Sequence, residues 1–599
     1  MTILTPSTRQ SVSMLPDRAT ILPEPDLPNG RDLLADGAKY AADWNVGPSA
    51  FLKEVGTSSE HDYKLRRMAD GAVMQHAQIG YRDPAKSIRA YREIWEACRL
   101  RGIDVDRYGL CLDWSMALPK AAREKATRGT GMILRGVEDF VELANAAPVA
   151  AHFGDFVLGF PAALENTQAA LAAGSTVIGN LGQYFTFRIP GHDDDIAATR
   201  ETVRALGLIA AQPVPVLVHS NIDDGFGAHL TDLASCLGLI LIEREIGRLA
   251  GVPVVHCYGH HFSDPLARLA FQRALALSGP SAPGSMIYGN TTSYRGTPAE
   301  NAASLSSYLL VDALGQTTRP TGHAINPVPV TENDRIPEID EVIEAQLHAG
   351  RLKEHALDWV PLVAEEEADA IAGTILEGGR AFEKAVMKGL AEAGIDTGDV
   401  FELLLALRRI GARRLEGAFG PGAPDPDIVG GRAPLVPATI VSEIAEMAGT
   451  ALAEMPETVR KALPVSGLKV LVAAGDVHEH GKMVVEELVR QLGLTVFDGG
   501  VSIDPEILAA LAAETQPDAI AISTYNGVAL SYYRTLKQAL AKQGLDIPVL
   551  MGGRLNQIPE ASNSSLPVDV SAELEEAGAQ LCRSAAEMGP ALMRLIRTS

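Results

Sequence analysis

The sequence predicts an α/β protein in two parts, a (β/α)8 (TIM) barrel followed by a doubly wound, flavodoxin-like parallel sheet. Two patterns carry that expectation. Before residue 335 there are eight apolar runs with strand character, at 73–79, 108–112, 149–152, 176–179, 214–218, 252–256, 286–289 and 322–325. Amphipathic stretches separate most of them, among them 88–100, 162–173, 230–249 and 299–314. Eight such units over roughly 260 residues are the pattern of a closed barrel. Residues 153–160 offer a second candidate for the third strand. Beyond residue 467 the alternation resumes, with strands at 468–474, 494–497, 518–523 and 548–553 and helices at 482–492 and 505–513. That spacing reads as an open sheet covered by helices on both faces.

Composition bounds the function. A chain of 599 residues holds at least two domains with sizeable cores. With 46% apolar and 21% charged residues it is an ordinary globular sequence. No stretch is long and apolar enough to span a bilayer. The start carries no basic segment followed by an apolar one, so a cytoplasmic location is expected. Cys98, Cys111, Cys236, Cys257 and Cys582 lack paired spacing, which favours a reducing compartment. The net charge of −23 excludes a general nucleic-acid or membrane-surface binder and leaves a small molecule as the expected partner.

Polar side chains gather just after the apolar runs. Asp113, His152, Asn180 and Gln183 come first, then His219, Asn221 and Asp223. His256, Tyr258, His260, Asn290, Tyr294, His323 and Asn326 follow. Barrel active sites are built at that end of the strands. Any one of these residues is more often a loop hydrogen-bonder than a ligand contact, and only their accumulation at one rim implies a polar pocket. His152, Asn180, His219, Tyr258, Asn290, Tyr294 and His323 are the catalytic candidates.

A sharper signal stands near the C-terminus, where the strand 468–474 gives way to Asp476-Val-His478-Glu-His-Gly481. An imidazole offers one ring nitrogen to a metal while a nearby carboxylate accepts the proton on the other. Taken alone, the same residues read as an Asp capping a helix beside an exposed His. Two further pieces fall in register, Ser523-Thr-Tyr525 at the end of one buried strand and Gly552-Gly553 at the end of the next. All three lie where doubly wound sheets bind ligands.

This set resembles the cobalamin-binding domain of base-off, His-on corrinoid enzymes, with its D-x-H-x-x-G, S-x-L and G-G pieces. The resemblance implies that His478 is the lower cobalt ligand and Asp476 its hydrogen-bond acceptor. It implies that Gly481 lets the nucleotide tail pass and that Ser523 binds the displaced dimethylbenzimidazole. Thr524 and Tyr525 flank that tail, and Gly552 and Gly553 leave it room. Tyr525 departs from the leucine of S-x-L, so packing around the tail differs.

The upstream region is distantly similar to the large component of glutamate mutase (methylaspartate mutase). The resemblance is carried by His256-Cys-Tyr-Gly-His-His-Phe-Ser-Asp-Pro-Leu-Ala-Arg, by 301–315 with Thr321-Gly-His-Ala-Ile-Asn-Pro-Val-Pro329, and by Ala418-Phe-Gly-Pro-Gly422. It implies an N-terminal extension at 1–69, a barrel at 70–345 and a helical extension at 346–422. A linker at 423–466 and a cobalamin domain at 467–599 complete the chain. The implied activity is an adenosylcobalamin-dependent carbon-skeleton isomerase working by a radical mechanism, as a homodimer served by a reactivating chaperone. Its substrate would be a small carboxylic acid.

At the places of the family's substrate-gripping arginines and acid, this chain has Gln75-His76-Ala77, Ala151-His152 and Asn180. Thr321-Gly322-His323-Ala324 replaces the Lys and Glu that hold the adenosyl ribose. Arginine's fork suits a carboxylate, so its absence argues against glutamate, with Arg82, Arg188 and Arg295 left as candidates. The alternative is a corrinoid-dependent methyltransferase with zinc ligands at His256-Cys257 and His260-His261. A pyridoxal-phosphate aminomutase would need a Schiff-base lysine, with Lys482 nearest, and a cobalamin sensor would need no polar barrel rim.

Overall fold

The computed structural model describes residues 15–126, 131–189, 192, 194–223, 225–260, 262, 264–279, 282–294, 296–333, 335–425, 431–476, 479–501, 503–525, 527–557 and 568–598. It divides into two compact units, the first formed mainly by the chain up to Thr439 and the second mainly by Ile440–Ser599.

The first unit contains eight short strands. They are β1 (His76–Ile79), β2 (Arg107–Leu110), β3 (Ala150–His152), β4 (Val177–Ile178), β5 (Leu217–Asn221), β6 (Val254–Cys257), β7 (Met286–Ile287) and β8 (Ala324–Ile325). All pairings among them are parallel. β1–β2–β3, β4–β5–β6 and β7–β8 form ladders, and single bridges Tyr258↔Ile287 and Gln75↔Ile325 join β6 to β7 and β8 to β1. Among the described residues no ladder joins β3 to β4. Each connection carries at least one helix, and several begin at a capping residue followed by proline: Asp83-Pro84, Asp264-Pro265 and Thr297-Pro298. The cap side chain accepts an otherwise unpaired N–H, and proline at the first helical position has no N–H to leave unpaired.

All eight expected strands exist, with shifted bounds. β5 starts three residues later than the expected 214–218 because Pro213 and Pro215 cannot donate to a ladder. The shift matters, since His219 and Asn221 then lie inside the strand rather than after it. Residues 153–160 form turns, not a strand.

The flanking segments are integral to this unit. In the expected N-terminal extension, the helix Gly30–Lys39 packs on Asp195–Ala210. The helix Glu60–Ala69 inserts Lys64, whose Nζ donates to the carbonyls of Gly284, Ser285 and Gly322 at 2.6, 2.7 and 3.0 Å. In the expected helical extension, Glu365–Glu392 lies along both Leu233–Ala250 and Pro265–Leu277.

The second unit is a five-stranded, all-parallel sheet. Its strands are β9 (Lys469–Ala474), β10 (Thr495–Asp498), β11 (Ala519–Thr524) and β12 (Val549–Gly553), with β15 (Gln580–Cys582) at the edge. Between β12 and β15 a small antiparallel pair forms, β13 (Asn556–Gln557) with β14 (Val568–Asp569). The sheet order is β10-β9-β11-β12-β15. Counted within the unit this is 2-1-3-4-5, the doubly wound order whose switch point lies between β9 and β11.

Both faces are apolar because the side chains alternate. Leu471 and Ala473 join a core with Leu508, Tyr532 and Leu536, whereas Val470 and Val472 join another with Leu488, Val489 and Met588. The second core also holds Ala448, Ala451, Met455, Val459 and Leu463. The helices Thr439–Glu454 and Glu457–Ala462 therefore belong to this unit and are no tether. The 423–466 linker expected from sequence is corrected accordingly, since a stripe of apolar residues at helical spacing is buried against the sheet. The helix after β9 begins at Glu479, three residues earlier than expected.

Candidate functional site

In the second unit the functional candidates collect at the carboxyl ends of β9, β11 and β12. The register sets Ser523 beside both Ala474 and Gly552, and Thr524 beside Gly553. Asp476 follows β9 in the turn, 7% exposed, and its Oδ2 accepts the backbone N–H of Tyr525 at 2.5 Å. That bond ties the two turns flanking the switch point, so the carboxylate is held in one place before any ligand arrives. His478 lies outside the described residues.

Gly481 sits in the first turn of the helix Glu479–Gln491. A methyl group there would stand 2.3 Å from Ser523 Oγ, so only glycine leaves the path between helix and strand open. Gly553 adopts φ +84°, and a methyl on it would stand 2.2 Å from the Thr524 carbonyl. A methyl on Gly552 would stand 3.2 Å from the Cys582 carbonyl, closer than ordinary van der Waals contact. Thr524 Oγ1 donates to the carbonyl of Arg554 at 3.1 Å, securing the end of β11. Tyr525 is 42% exposed, with the Arg554 guanidinium 5.7 Å from its ring centre. Lys482 is wholly buried and pairs with Glu486 at 2.7 Å and Asp498 at 2.8 Å, a structural duty rather than Schiff-base chemistry.

In the first unit the rim candidates separate into three groups. The first faces inward. Arg107 opens β2, His219 lies in β5 and Ser285 precedes β7, strands that are not ladder neighbours. Yet Arg107 Nη1 reaches Ser285 Oγ at 3.3 Å, and His219 Nδ1 reaches the same oxygen at 2.6 Å. These contacts run across the inside of the strand array. His152 stacks edge-on against His219 with ring centres 4.3 Å apart. His76 Nε2 meets Gln78 Oε1 at 3.0 Å, and Gln78 donates onward to Cys111 Sγ. Below them Arg107 Nε pairs with Glu60 at 2.6 Å.

Burial, then the neighbouring Arg107, pushes His76 down to about 3. Burial first, then neighbouring cationic or imidazole groups, holds His152 and His219 well below the ordinary histidine range. The inner wall therefore presents neutral imidazoles.

The second group lies at the strand ends. Asn180 Oδ1 accepts the N–H groups of Gly182 and Asn221, which turns its amide toward Asp155 at 3.4 Å. Removal from water raises the Asp155 carboxyl to about 6 against the opposing effect of that amide. Asn290 is buried and accepts from Thr292 Oγ1 at 2.7 Å.

The third group is packed away from the interior. Tyr258 lies among Phe262, Phe271 and His323. His323 bonds Thr321 Oγ1 and the His256 carbonyl. Tyr294 donates to the Val328 carbonyl at 2.8 Å. His256 turns outward to Glu243 at 2.7 Å, while Cys257 sits in a core with Met286 and Ala324. Adjacent strand residues point to opposite faces, so the two do not converge on one metal. Among the described residues no group of three or more His, Cys, Asp or Glu is arranged to hold a metal ion, and His261 lies outside them.

Sequence reasoning missed Arg107, Ser285 and Asp155. Arg107 and Ser285 precede or open their strands, where no rim signal marks them, and Asp155 falls in the stretch that competed for strand three. Of the arginine candidates, Arg82 is buried and Arg188 donates to the Phe187 carbonyl. Arg295 lies outside the described residues. No helix of the described residues is long and apolar enough to cross a membrane.

A family model described as the B12 binding domain matches residues 468–580. Among solved structures, the chain is similar to a novel cobalamin-binding protein from Desulfitobacterium hafniense DCB-2 at 23% identity, covering 26% of this chain and 70% of that one, with a TM-score of 0.20. The matched span contains Asp476, His478, Gly481, Ser523, Gly552 and Gly553, and the family match supports cobalamin binding by the second unit.

Proposed function

We propose that the chain is an adenosylcobalamin-dependent radical isomerase, a carbon-skeleton mutase of the glutamate mutase type acting on a small organic acid. In this reading β1–β8 close a (β/α)8 barrel that takes the substrate, and the second unit takes the cofactor. The observation that supports its cobalamin half, common to mutase and methyltransferase, is the placement of Asp476, Gly481, Ser523 and Gly552 at the carboxyl ends of β9, β11 and β12, within the span matched by the B12 binding domain.

The residues present fit the group. His478 would hold the cobalt, with the Asp476 carboxylate, already anchored through Tyr525 N–H, as its hydrogen-bond acceptor. The path kept open by Gly481 beside Ser523 would admit the nucleotide tail, with Ser523 Oγ as its polar contact. When bound, adenosylcobalamin supplies the carbon-centred radical that such rearrangements need. The chain's own part is to bind, orient and exclude water. Neutral His152 and His219 and the amide of Asn180 can hold a polar substrate without offering a proton to a reactive carbon. Asn290 would add a contact at the rim, while Tyr258, Tyr294 and His323 would act by supporting the wall.

Spectral titration of the full chain with adenosylcobalamin and with methylcobalamin tests this reading. A base-off, His-on spectrum in the wild type, lost in His478→Ala, is expected. Electron paramagnetic resonance on adding candidate acids should then reveal a substrate-dependent radical pair. Methyl transfer from methylcobalamin to a thiol, with no radical, would replace the mutase by a methyltransferase.

A further inference from the structure

Ser285 connects two groups whose proton inventories are unequal. A guanidinium has donors only. Arg107 Nη1 therefore donates to Ser285 Oγ across 3.3 Å. The hydroxyl has one proton, and its 2.6 Å contact is with His219 Nδ1. Burial of the ring first, and Arg107 second, oppose a second proton on that imidazole. Were Nδ1 to donate instead, the hydroxyl proton would have no acceptor among the described residues. The hydroxyl therefore donates to Nδ1, whose lone pair faces it, and the ring proton is left on Nε2. No described group accepts from Nε2. His219 is 3% exposed, and Nε2 is not among the sealed, unpartnered atoms. Gly179 makes room beside it, since a methyl there would stand 2.7 Å from His219 Cδ2.

We propose that Ser285 is a positioning residue that, together with Arg107, sets His219 as the Nε2–H tautomer. The inside of the strand array then offers a neutral N–H donor to an acceptor oxygen of the substrate, a carboxylate or carbonyl. The second half rests on the reading of the first unit as the substrate domain. Ser285 is the hinge of the argument because a hydroxyl both accepts and donates. An alanine there leaves Nδ1 without a donor and Arg107 Nη1 without an acceptor, while Nε keeps Glu60. A threonine keeps both bonds.

The test is the ring 15N–1H correlation spectrum of the full chain labelled in histidine, with the His219 signals assigned from their loss in His219→Gln. The wild type is expected to show Nε2 protonated and Nδ1 bare, and Ser285→Thr to keep that pattern. Ser285→Ala is expected to shift the His219 ring toward a mixture of both tautomers, with unchanged circular dichroism. Protonated Nδ1 in the wild type, or an unchanged His219 pattern in Ser285→Ala, overturns the tautomer assignment.

Acetate and acetamide serve as carboxylate and carbonyl probes. Movement of the Nε2–H resonance with either supports the donor role, and no movement with both removes it. These signals do not depend on corrinoid. A correct tautomer in a protein without radical chemistry would sink the mutase reading and leave the positioning role standing.

Discussion

Two glycines near the carboxyl ends of β9 and β12 differ in what they protect. Gly481 lies in a helix of ordinary geometry, where alanine raises helix propensity by about 1 kcal/mol. The added methyl instead meets Ser523 Oγ, the far end of a short side chain that can rotate. Gly481→Ala should leave the thermal midpoint nearly unchanged and weaken cobalamin binding at least about tenfold, read by spectral titration. Gly553 has φ +84° and faces a backbone carbonyl that cannot move aside. Gly553→Ala should cost about 1–3 kcal/mol of stability in denaturant unfolding. Lys64 makes a different case, a wholly buried ammonium on three carbonyls with Glu60 at 3.7 Å. Lys64→Met strands those three carbonyls while Glu60 keeps its 2.6 Å pairing with Arg107, and a loss of at least about 1–3 kcal/mol is expected.

At the scale of elements, the helices Thr439–Glu454 and Glu457–Ala462 complete one face of the five-stranded sheet. Met455 is 2% exposed and packs in the core with Val470, Val472 and Leu488. Met455→Ala should cost about 2–5 kcal/mol, the usual range for emptying such a site. A chain beginning at residue 440 should fold cooperatively and bind cobalamin. One beginning at 467 should unfold at markedly lower denaturant, because Val459 and Leu463 no longer cover Val470 and Val472. Equal midpoints for the two fragments would mean these helices add nothing to the sheet.

At the scale of the whole molecule, five buried imidazoles make the first unit sensitive to acid. His76, His152, His219, His256 and His323 all have their basicity lowered, first by burial. For His323 the folded value falls to about 3 from an ordinary 6.5, burial acting first and the Lys64 ammonium second. The unfolded chain therefore takes up protons that the folded chain refuses. Stability is present above pH 6.5 and is lost as pH falls toward 3. His323→Gln should reduce by about one proton the uptake on unfolding near pH 5, measured as the slope of unfolding free energy against pH. An unchanged slope would show that His323 titrates normally in the folded protein. Buried carboxylates with raised values, Asp106 and Asp312 among them, act in the opposite sense. They are common to both proteins and cancel in the difference.

Local pattern alone determined the order and kind of the elements, because apolar runs of strand length between amphipathic stretches have few other ways to bury their surface. It also located the Asp476, Ser523 and Gly552 turns, since motif spacing and strand ends are written along the chain. The tertiary structure decided which side chains meet. Pro213 and Pro215 moved β5 forward and drew His219 into the strand interior. Contacts among Arg107, His219 and Ser285 join strands that pair with other neighbours, and no periodicity encodes such a crossing. The helices Thr439–Glu454 and Glu457–Ala462 look like a tether in sequence because amphipathicity names a face to bury but never the surface that will cover it.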